Sequence, residues 1–145
     1  MTRPRPAPRR ILVVCLGNYC RSPLAERVLA DLGGSAVEVR SAGLIGGWDR
    51  AHPEMTAAAA ALGHDLTRHR PARVTRAAIE WADLVLAMDR SVLARLRGFA
   101  GPGSTTTMRL YLDHDRDVPD PMGRPAAEFA ACARLIEAGA RIHLG

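Results

Sequence analysis

The residues best suited to chemistry lie close together near the N-terminus. The segment Val13-Val14-Cys15-Leu16-Gly17-Asn18-Tyr19-Cys20-Arg21-Ser22-Pro23 combines a thiol, a glycine-containing loop, a guanidinium group and a hydroxyl. A loop that leads from a buried strand into a helix directs its backbone N–H groups at one spot, where the helix N-terminus adds partial positive charge. The segment therefore predicts a phosphate-binding loop.

Three side chains of this loop have chemical roles that their types explain. The amides, the helix end and the Arg21 guanidinium would stabilise a thiolate at Cys15, which makes that sulfur a nucleophile. Arg21 can hold two phosphoryl oxygens with its planar fork. Ser22 can donate a hydrogen bond to the thiolate and ease its later departure. The predicted phosphate-binding residues are Leu16, Gly17, Asn18, Tyr19, Cys20, Arg21 and Ser22. The alternative is a buried strand that enters a helix and carries a packing cysteine.

This segment resembles the signature of the low-molecular-weight protein tyrosine phosphatases, V-C-x-G-N-x-C-R-S-P, and every fixed position matches. The resemblance covers essentially residues 10–143, and outside the signature it depends on Ser41-Ala42-Gly43, His69-x-x-x-Arg73, Met88-Asp89 and Asp120-Pro121. It implies a small four-stranded parallel sheet wrapped by helices. It also implies hydrolysis of phosphate monoesters through phosphocysteine, with no metal and no organic cofactor.

The reaction also needs an acid, because the departing oxygen requires a proton and phosphocysteine must then be hydrolysed by an activated water. One carboxylic acid can serve both steps. Similar phosphatases carry an Asp-Pro pair in a late loop, and this resemblance makes Asp120 the candidate; the alternative role for Asp120 is turn formation. The resemblance also implies that His69 and Ser41 support the phosphate loop together with Asn18. The alternative for His69 is an ordinary surface position.

The other two cysteines have less certain roles. Cys20 is either a packing residue or a resolving thiol that protects Cys15 as a reversible disulfide, and the family resemblance favours the second role. Cys132 lies at an apolar position of the last predicted helix, which favours the core. Arsenate reduction on the same scaffold would need further paired cysteines downstream, so it is the weaker alternative. A non-catalytic phosphate-binding module would have no need of both Cys15 and Asp120.

The chain departs from the family where the substrate ring would enter. Tyrosine phosphatases of this family usually have aromatic residues directly after the Asp-Pro pair, whereas this chain has Met122-Gly123. We therefore expect Tyr19 or Trp48, together with Met122, to form the wall of the substrate pocket. Alternatively, the substrate is a small non-aromatic phosphate ester or phosphoarginine. Family members that act on phosphoarginine carry threonine at the position of Leu16, which argues against that substrate.

The surrounding pattern predicts an α/β fold that can position these groups. Residues 11–15 are a continuous apolar run typical of a strand buried on both faces, and Ser22 with Pro23 would begin a helix that ends at Gly33-Gly34. Further strands are predicted at residues 37–40, 84–88 and 108–112, and helices after Pro53, Thr75 and Asp89 and from about Phe129. This alternation predicts a four-stranded parallel sheet with helices on both faces and a site at the carboxyl ends of the strands.

Length and composition limit the remaining possibilities. The 145 residues predict a disordered basic arm at residues 1–9 and one phosphatase domain at residues 10–145, and the apolar run after the arm is too short for a signal peptide. Three cysteines favour a reducing cytoplasm. All the basic residues are arginines, which suggests a bacterial source, and with 4% aromatic residues we expect no nucleic-acid partner. We expect a phosphorylated protein or small aryl phosphate as substrate, no membrane partner, and a monomer or weak dimer.

Overall fold

The computed structural model describes residues 6–145 and contains one four-stranded parallel sheet with the strand order β2-β1-β3-β4. The strands are β1 (Arg9–Cys15), β2 (Val37–Gly43), β3 (Leu84–Ala87) and β4 (Thr107–Leu110). The helices are α1 (Arg21–Gly33), α2 (Pro53–Ala61), α3 (Arg76–Trp81), α4 (Arg90–Ala100) and α5 (Ala126–Gly139), with 3₁₀ turns at Gly34–Ala36 and Ala140–His143. The predicted α/β class, the parallel sheet and its strand number are confirmed.

Alternating residues of the central strands pack into two hydrophobic clusters, one on each face of the sheet. Ile11 and Val13 face the cluster built with α1, α2 and α5, whereas Leu12 and Val14 face the cluster built with α3 and α4. All four of these side chains are almost completely buried, as the unbroken apolar run predicted. Among residues 6–145, no helix combines the length and the apolarity that crossing a lipid bilayer requires.

The first two strands are longer than the sequence pattern indicated. Residues 1–5 of the predicted arm lie outside the described residues, and Arg9 already belongs to β1, paired with Val37. The side chains of Arg9 and Arg10 are exposed, so these two residues interrupt the apolar sequence pattern although their backbone is part of the sheet. β2 continues to Gly43, opposite Cys15, where the pattern predicted a turn.

Three of the five predicted helix starts are correct, and α5 begins at Ala126, three residues before the predicted Phe129. Pro53 is the first residue of α2, Thr75 Oγ1 accepts from the Ala78 amide at the start of α3, and Asp89 caps α4. Ser22 was predicted as the cap of α1, and this is wrong. The helix begins at Arg21 without a side-chain cap, because the Ser22 hydroxyl bonds within the phosphate loop instead.

His64 follows α2 and links it to α1 and α5 on one side of the sheet. His64 is buried, and its ring nitrogens contact Asp31 Oδ2 at 2.7 Å and Glu137 Oε2 at 2.6 Å. Burial alone lowers the pKa of His64, but the hydrogen bonds to Asp31 and Glu137 outweigh it and raise the pKa above its ordinary value. The charged imidazole therefore stabilises the fold.

This cluster predicts how stability depends on pH. Because the folded-state pKa of His64 is raised, its contribution is present below the unfolded-state pKa and is lost as pH rises through the folded-state value. We expect His64→Gln to lower the free energy of unfolding more at about pH 6 than at about pH 9. Urea unfolding at both pH values measures this, with the exposed His114→Gln as control. An equal loss at both pH values would contradict it.

Candidate active site

The phosphate loop connects the carboxyl end of β1 to the N-terminus of α1 and surrounds the Cys15 sulfur with donors. Ser22 Oγ lies 3.0 Å from Cys15 Sγ, and the Asn18 amide donates to the same sulfur at 3.2 Å. Asn18 Nδ2 also donates to Ser22 Oγ at 2.9 Å, so the serine proton is free to point at the sulfur. Two donors directed at one buried sulfur suit a thiolate better than a thiol.

Asn18 organises the loop from beneath. Its backbone has a φ of 52°, in the left-handed region that asparagine tolerates better than most residues, and its side chain is fully buried. Nδ2 donates to Ser41 Oγ at 2.8 Å and Oδ1 accepts from the Ala72 amide at 2.9 Å. Every polar atom of the side chain is therefore used to hold a strained backbone in place.

His69 and Ser41 both lie against this loop, as the resemblance implied. His69 Nε2 is 3.0 Å from the Asn18 carbonyl oxygen, so this nitrogen carries the proton and donates. Ser41 donates in turn to Glu26 on α1, which the sequence analysis did not identify. No local sequence signal marks Glu26, because its partner Ser41 lies on β2 and not on α1.

Two glycines allow the chain to pack closely around the loop. A Cβ atom on Gly43 would lie 2.6 Å from the carbonyl carbon of Gly17 and 2.7 Å from the Asn18 nitrogen, both of which are backbone atoms that cannot move aside. A Cβ atom on Gly17 would lie 2.4 Å from the Trp48 ring. These positions let the end of β2 and the Trp48 ring contact the phosphate loop directly.

Arg21 is held by two oxygens that lie far away in the sequence. Its Nη1 donates to Asp89 Oδ2 and to the Val118 carbonyl oxygen, both at 2.8 Å, and only 3% of its side chain is exposed. Burial by itself lowers the pKa of Arg21, but the Asp89 hydrogen bond and nearby negative groups raise it above its ordinary value. The guanidinium is therefore charged and fixed in orientation before any substrate binds.

Asp89 is a site residue that the sequence analysis named as a helix start and as part of the family resemblance, without a contact to Arg21. Its Oδ1 caps α4 by accepting from the Val92 amide at 2.8 Å, while Oδ2 binds Arg21. A further signal was available, since Asp89 lies two residues after the end of the buried strand β3 and the carboxyl ends of parallel strands meet at one edge of the sheet.

The Asp89 contact predicts a catalytic loss without loss of the helix cap. Asp89→Asn keeps a good capping side chain but removes the charge that holds Arg21, so we expect kcat/KM for aryl phosphates to fall about tenfold or more. The matched control is Asp83→Asn, because Asp83 pairs with Arg10 at 3.9 Å on the surface and should change kcat/KM by less than about twofold. Steady-state kinetics on both variants measures the difference, and unchanged kcat/KM in Asp89→Asn would contradict it.

Asp120 forms a local turn and also lies close to Arg21 of the phosphate loop. Oδ1 accepts from the Met122 amide at 3.1 Å in a local turn, while Oδ2 lies 3.9 Å from Arg21 Nη2. The side chain is 42% exposed, so solvent reaches it. The neighbouring Asp117 is used elsewhere, since its carboxylate accepts from the Arg90 amide at 2.9 Å.

These groups line one pocket of about 180 Å³. Its lining residues are Cys15, Leu16, Gly17, Tyr19, Cys20, Arg21, Trp48, Asp120 and Met122. The structure therefore brings together the predicted nucleophile, arginine, acid and all three predicted wall residues. The Trp48 ring stacks on Tyr19 with 4.7 Å between ring centroids and 12° between planes. Larger pockets occur beside α3, α4 and β4, but they contain none of these groups.

The other two cysteines are held as thiols. Burial raises the pKa of Cys20 to about 12, with the negative charge of Asp120 adding to the effect, and burial also raises the pKa of Cys132 to about 12. All three cysteines are free in the structure, and Cys132 is part of the hydrophobic cluster on the α1 side. The predicted core position of Cys132 is therefore confirmed.

A parallel α/β sheet with a thiol at the base of a phosphate-sized pocket, an arginine beside it and a carboxylate at the rim defines a cysteine-dependent phosphomonoester hydrolase. The family model described as low molecular weight phosphotyrosine protein phosphatase matches residues 10–144. The chain belongs to this family. It is accordingly a phosphatase of the low-molecular-weight protein tyrosine phosphatase type, which works through a phosphocysteine intermediate.

Individual relatives agree with this assignment. The low molecular weight protein-tyrosine-phosphatase Wzb of Salmonella typhi is 36% identical over 135 residues, which cover 91% of this chain and 89% of the relative. Among solved structures, Vibrio vulnificus Wzb in complex with benzylphosphonate matches with a TM-score of 0.85 at 31% identity, covering 94% of this chain and 97% of that one. The YwlE arginine phosphatase from Geobacillus stearothermophilus matches with a TM-score of 0.86 at 27% identity, covering 94% and 91%.

Proposed function

We propose that this phosphatase hydrolyses phosphotyrosine or a similar aryl phosphate in two steps at Cys15. Cys15 Sγ attacks phosphorus in line and forms phosphocysteine, while the ester oxygen leaves with a proton from Asp120. Asp120 then removes a proton from water, which attacks phosphocysteine, releases inorganic phosphate and restores the thiolate. The observation that carries this proposal is a single pocket with Cys15 at its base and both Arg21 and Asp120 in its wall.

The transferring phosphoryl group needs fixed positive charge and hydrogen-bond donors. We assign this role to Arg21 and the backbone amides of residues 16–21, which lie at the N-terminus of α1. Because Asp89 and the Val118 carbonyl already orient Arg21, no reorganisation is needed when charge moves onto the phosphoryl oxygens. Ser22 stabilises the sulfur as it leaves phosphocysteine. We assign Ser41 and His69 to the support of Asn18, and Cys20 to a reversible disulfide with Cys15 under oxidation.

An aromatic substrate fits the pocket better than the alternatives. The Trp48 ring lies against Gly17 and presents a flat apolar wall, and the exposed Met122 lies on the rim. The similarity to an arginine phosphatase keeps phosphoarginine as a second candidate. However, among residues 6–145 Asp120 is the only acidic residue that lines the pocket, and Leu16 offers no polar atom to a guanidinium group. Arsenate reduction is disfavoured because it needs further paired cysteines downstream of the loop, where the sequence has Cys132 alone.

Turnover on matched substrates tests the proposed specificity. We expect kcat/KM for phosphotyrosine to exceed that for phosphoserine and phosphoarginine by at least about threefold, because the phenyl ring buries the largest apolar area when it stacks on Trp48. Equal or higher kcat/KM for phosphoarginine would make that ester the better assignment. Equal values for small alkyl phosphates would favour a non-aromatic metabolite.

Removing a ring from the aromatic wall formed by Trp48 and Tyr19 should lower kcat/KM for aryl phosphates selectively. Replacing a stacking ring removes about 0.5–1.5 kcal/mol beyond buried area, so Trp48→Ala should lower kcat/KM for aryl phosphates about threefold to tenfold. A small alkyl phosphate should be affected by less than about twofold. Tyr19→Ala should show the same difference, because Tyr19 supports the Trp48 ring from behind. The wall assignment is wrong if neither variant distinguishes aryl from alkyl esters.

The proposed mechanism also bears on the substrate, the oligomeric state and the compartment of the protein. We propose a phosphorylated protein as the substrate, a monomer or weak dimer as the active form and the reducing cytoplasm as the compartment. All three cysteines are free, and the mechanism requires the Cys15 thiolate to be unoxidised. Analytical ultracentrifugation of the purified chain tests the oligomeric state.

A further inference from the structure

The excess positive charge of the chain is concentrated in one segment. The formal net charge is +5, and residues 66–79 contain four arginines but no acidic residue, so this segment accounts for +4 of the total. We call residues 66–79 the basic segment. All four arginines are exposed: Arg68, Arg70, Arg73 and Arg76. The remaining 16 basic and 15 acidic residues nearly balance.

The basic segment lies against the active site. His69 and the Ala72 amide both bond to Asn18 of the phosphate loop, at 3.0 and 2.9 Å. The Val74 amide donates to the Gly43 carbonyl at 2.8 Å. The Arg73 side chain passes beside Gly46, where an added Cβ would lie 3.4 Å from Arg73 Cδ. Since Gly46 lies in the same loop as the pocket residue Trp48, Arg73 contacts a loop that reaches the pocket, although no residue of the segment lines the pocket itself.

The charge of the segment forms no ion pair in the part of the fold that the structure describes. Among residues 6–145, its four arginines have no carboxylate within 4.0 Å, whereas Arg10, Arg27 and Arg90 are each paired with an aspartate. Arg76 lies over the Phe99 ring, with 5.7 Å between its Cζ and the ring centroid. Exposed charges attract an opposite charge over about 10 Å at 0.1 M salt, so the segment is available to a ligand that approaches the neighbouring pocket.

We propose that the basic segment is a docking surface for an acidic stretch of polypeptide that flanks the phosphorylated tyrosine of the substrate. This inference rests on the proposed phosphotyrosine activity and extends it from the ester group to the chain that carries it. A polypeptide fits better than a nucleic acid because the segment contains no Phe, Tyr or Trp on which bases could stack, and the His69 ring is bonded to the phosphate loop.

Two phosphotyrosine peptides that differ only in flanking Asp/Glu against Asn/Gln residues test the surface. We expect kcat/KM to favour the acidic peptide about threefold to tenfold at about 0.05 M salt and to lose this preference at about 0.5 M salt. Arg70→Gln/Arg73→Gln should abolish the preference and leave 4-nitrophenyl phosphate turnover unchanged. Arg95→Gln/Arg134→Gln, which changes the net charge equally at exposed sites on α4 and α5, should retain it.

Peptide binding to the Cys15→Ser variant separates the two proposals. If the wild-type protein hydrolyses neither peptide but the Cys15→Ser variant binds the acidic peptide more tightly, the phosphotyrosine assignment fails and the docking surface stands. Equal binding of both peptides at low salt would overturn the docking surface. Tighter binding of a single-stranded oligonucleotide, which displaces the acidic peptide, would overturn it in favour of nucleic acid.

A second inference concerns His52, which lies between the substrate wall and α5. Its ring is the third in a series of contacts, with centroids 5.0 Å from Tyr19 and 4.6 Å from Phe129, while Tyr19 stacks on Trp48. Its amide donates to the Tyr19 carbonyl at 2.9 Å, and its Nδ1 accepts from the Glu54 amide at 3.0 Å to cap α2. Phe129 is buried, so the series is anchored in the core.

We infer that His52 is a positioning residue that orients Tyr19 and, through it, Trp48, given the proposed aryl phosphate activity. The cap and the ring can be separated by substitution. His52→Asn keeps a capping acceptor but removes the ring, whereas His52→Phe keeps a ring but removes the acceptor.

The two variants should differ in their KM for aryl phosphates if the histidine ring, and not the helix cap, orients Tyr19. We expect His52→Asn to raise KM for aryl phosphates about threefold while kcat and the KM for an alkyl phosphate stay unchanged. His52→Phe should keep the aryl KM near that of the wild type and lower only the melting temperature. An equal rise in aryl KM in both variants, or no rise in His52→Asn, would overturn the positioning role.

Discussion

Replacing Cys15 with serine is expected to abolish hydrolysis while leaving the phosphate site intact. The serine hydroxyl is similar in size, and Asn18 and Ser22 can still donate to it, so the loop should keep its shape. A hydroxyl is far less ionised than a thiol at neutral pH, so kcat for 4-nitrophenyl phosphate should fall by at least about a thousandfold. Inorganic phosphate binding, measured by calorimetry, should change by less than about threefold.

Cys132→Ala is the matched control for this variant. Cys132 belongs to the core and does not line the pocket, so its loss should lower stability but leave kcat largely unchanged. Turnover that survives in Cys15→Ser, with the purity of the variant verified by mass spectrometry, would exclude the phosphocysteine route through this residue.

The second large effect is expected from Asp120→Asn, with a loss that depends on the leaving group. Asparagine can still accept from the Met122 amide through Oδ1 and so keeps the turn, but it cannot supply an acidic proton. We expect kcat/KM for phosphotyrosine to fall about 10²–10⁴-fold. The fall should be smaller for 4-nitrophenyl phosphate, whose leaving group hardly needs a proton. A series of substituted phenyl phosphates measures the trend.

The neighbouring Asp117→Asn provides the control, because Asp117 contacts Arg90 and does not line the pocket. Its kcat/KM should show no dependence on the leaving group beyond that of the wild type. Since kcat/KM reports only steps up to the transfer to Cys15, slow hydrolysis of phosphocysteine cannot hide the trend. Equal losses for all leaving groups in Asp120→Asn would assign the acid to another residue.

The parts of the site that could be predicted are those in which neighbouring residues cooperate. Cys15, Arg21 and Ser22 occupy one short loop, so their spacing alone indicates a phosphate site after β1. The class of fold was equally accessible, because residues 11–15 and 84–88 read as strands buried on both faces. Asp120 required the resemblance to a family, since an Asp-Pro pair by itself also indicates a turn.

The parts that escaped prediction depend on contacts between distant segments. Asp89 holds Arg21 across 68 residues of sequence, and Glu26 receives a hydrogen bond from Ser41 on another element. His52 was not identified from the sequence, because its ring contacts are visible only when α5 is in place. Ser22 was misassigned as a helix cap for a different reason, since its hydroxyl bonds to Cys15 and Asn18 within the same loop.

The different surroundings of the three cysteines have a practical consequence for counting functional molecules. All three are buried, but burial raises the pKa of Cys20 and Cys132 to about 12, whereas Ser22 Oγ and the Asn18 amide are directed at Cys15 Sγ. We therefore expect a small alkylating reagent at neutral pH to modify Cys15 first. One equivalent of incorporated label would therefore report one intact centre. Less than one equivalent would measure the fraction with oxidised Cys15, whereas more than one would indicate misfolded chains in which Cys20 and Cys132 are exposed. Labelling thus provides an internal standard for covalent inhibitor screening.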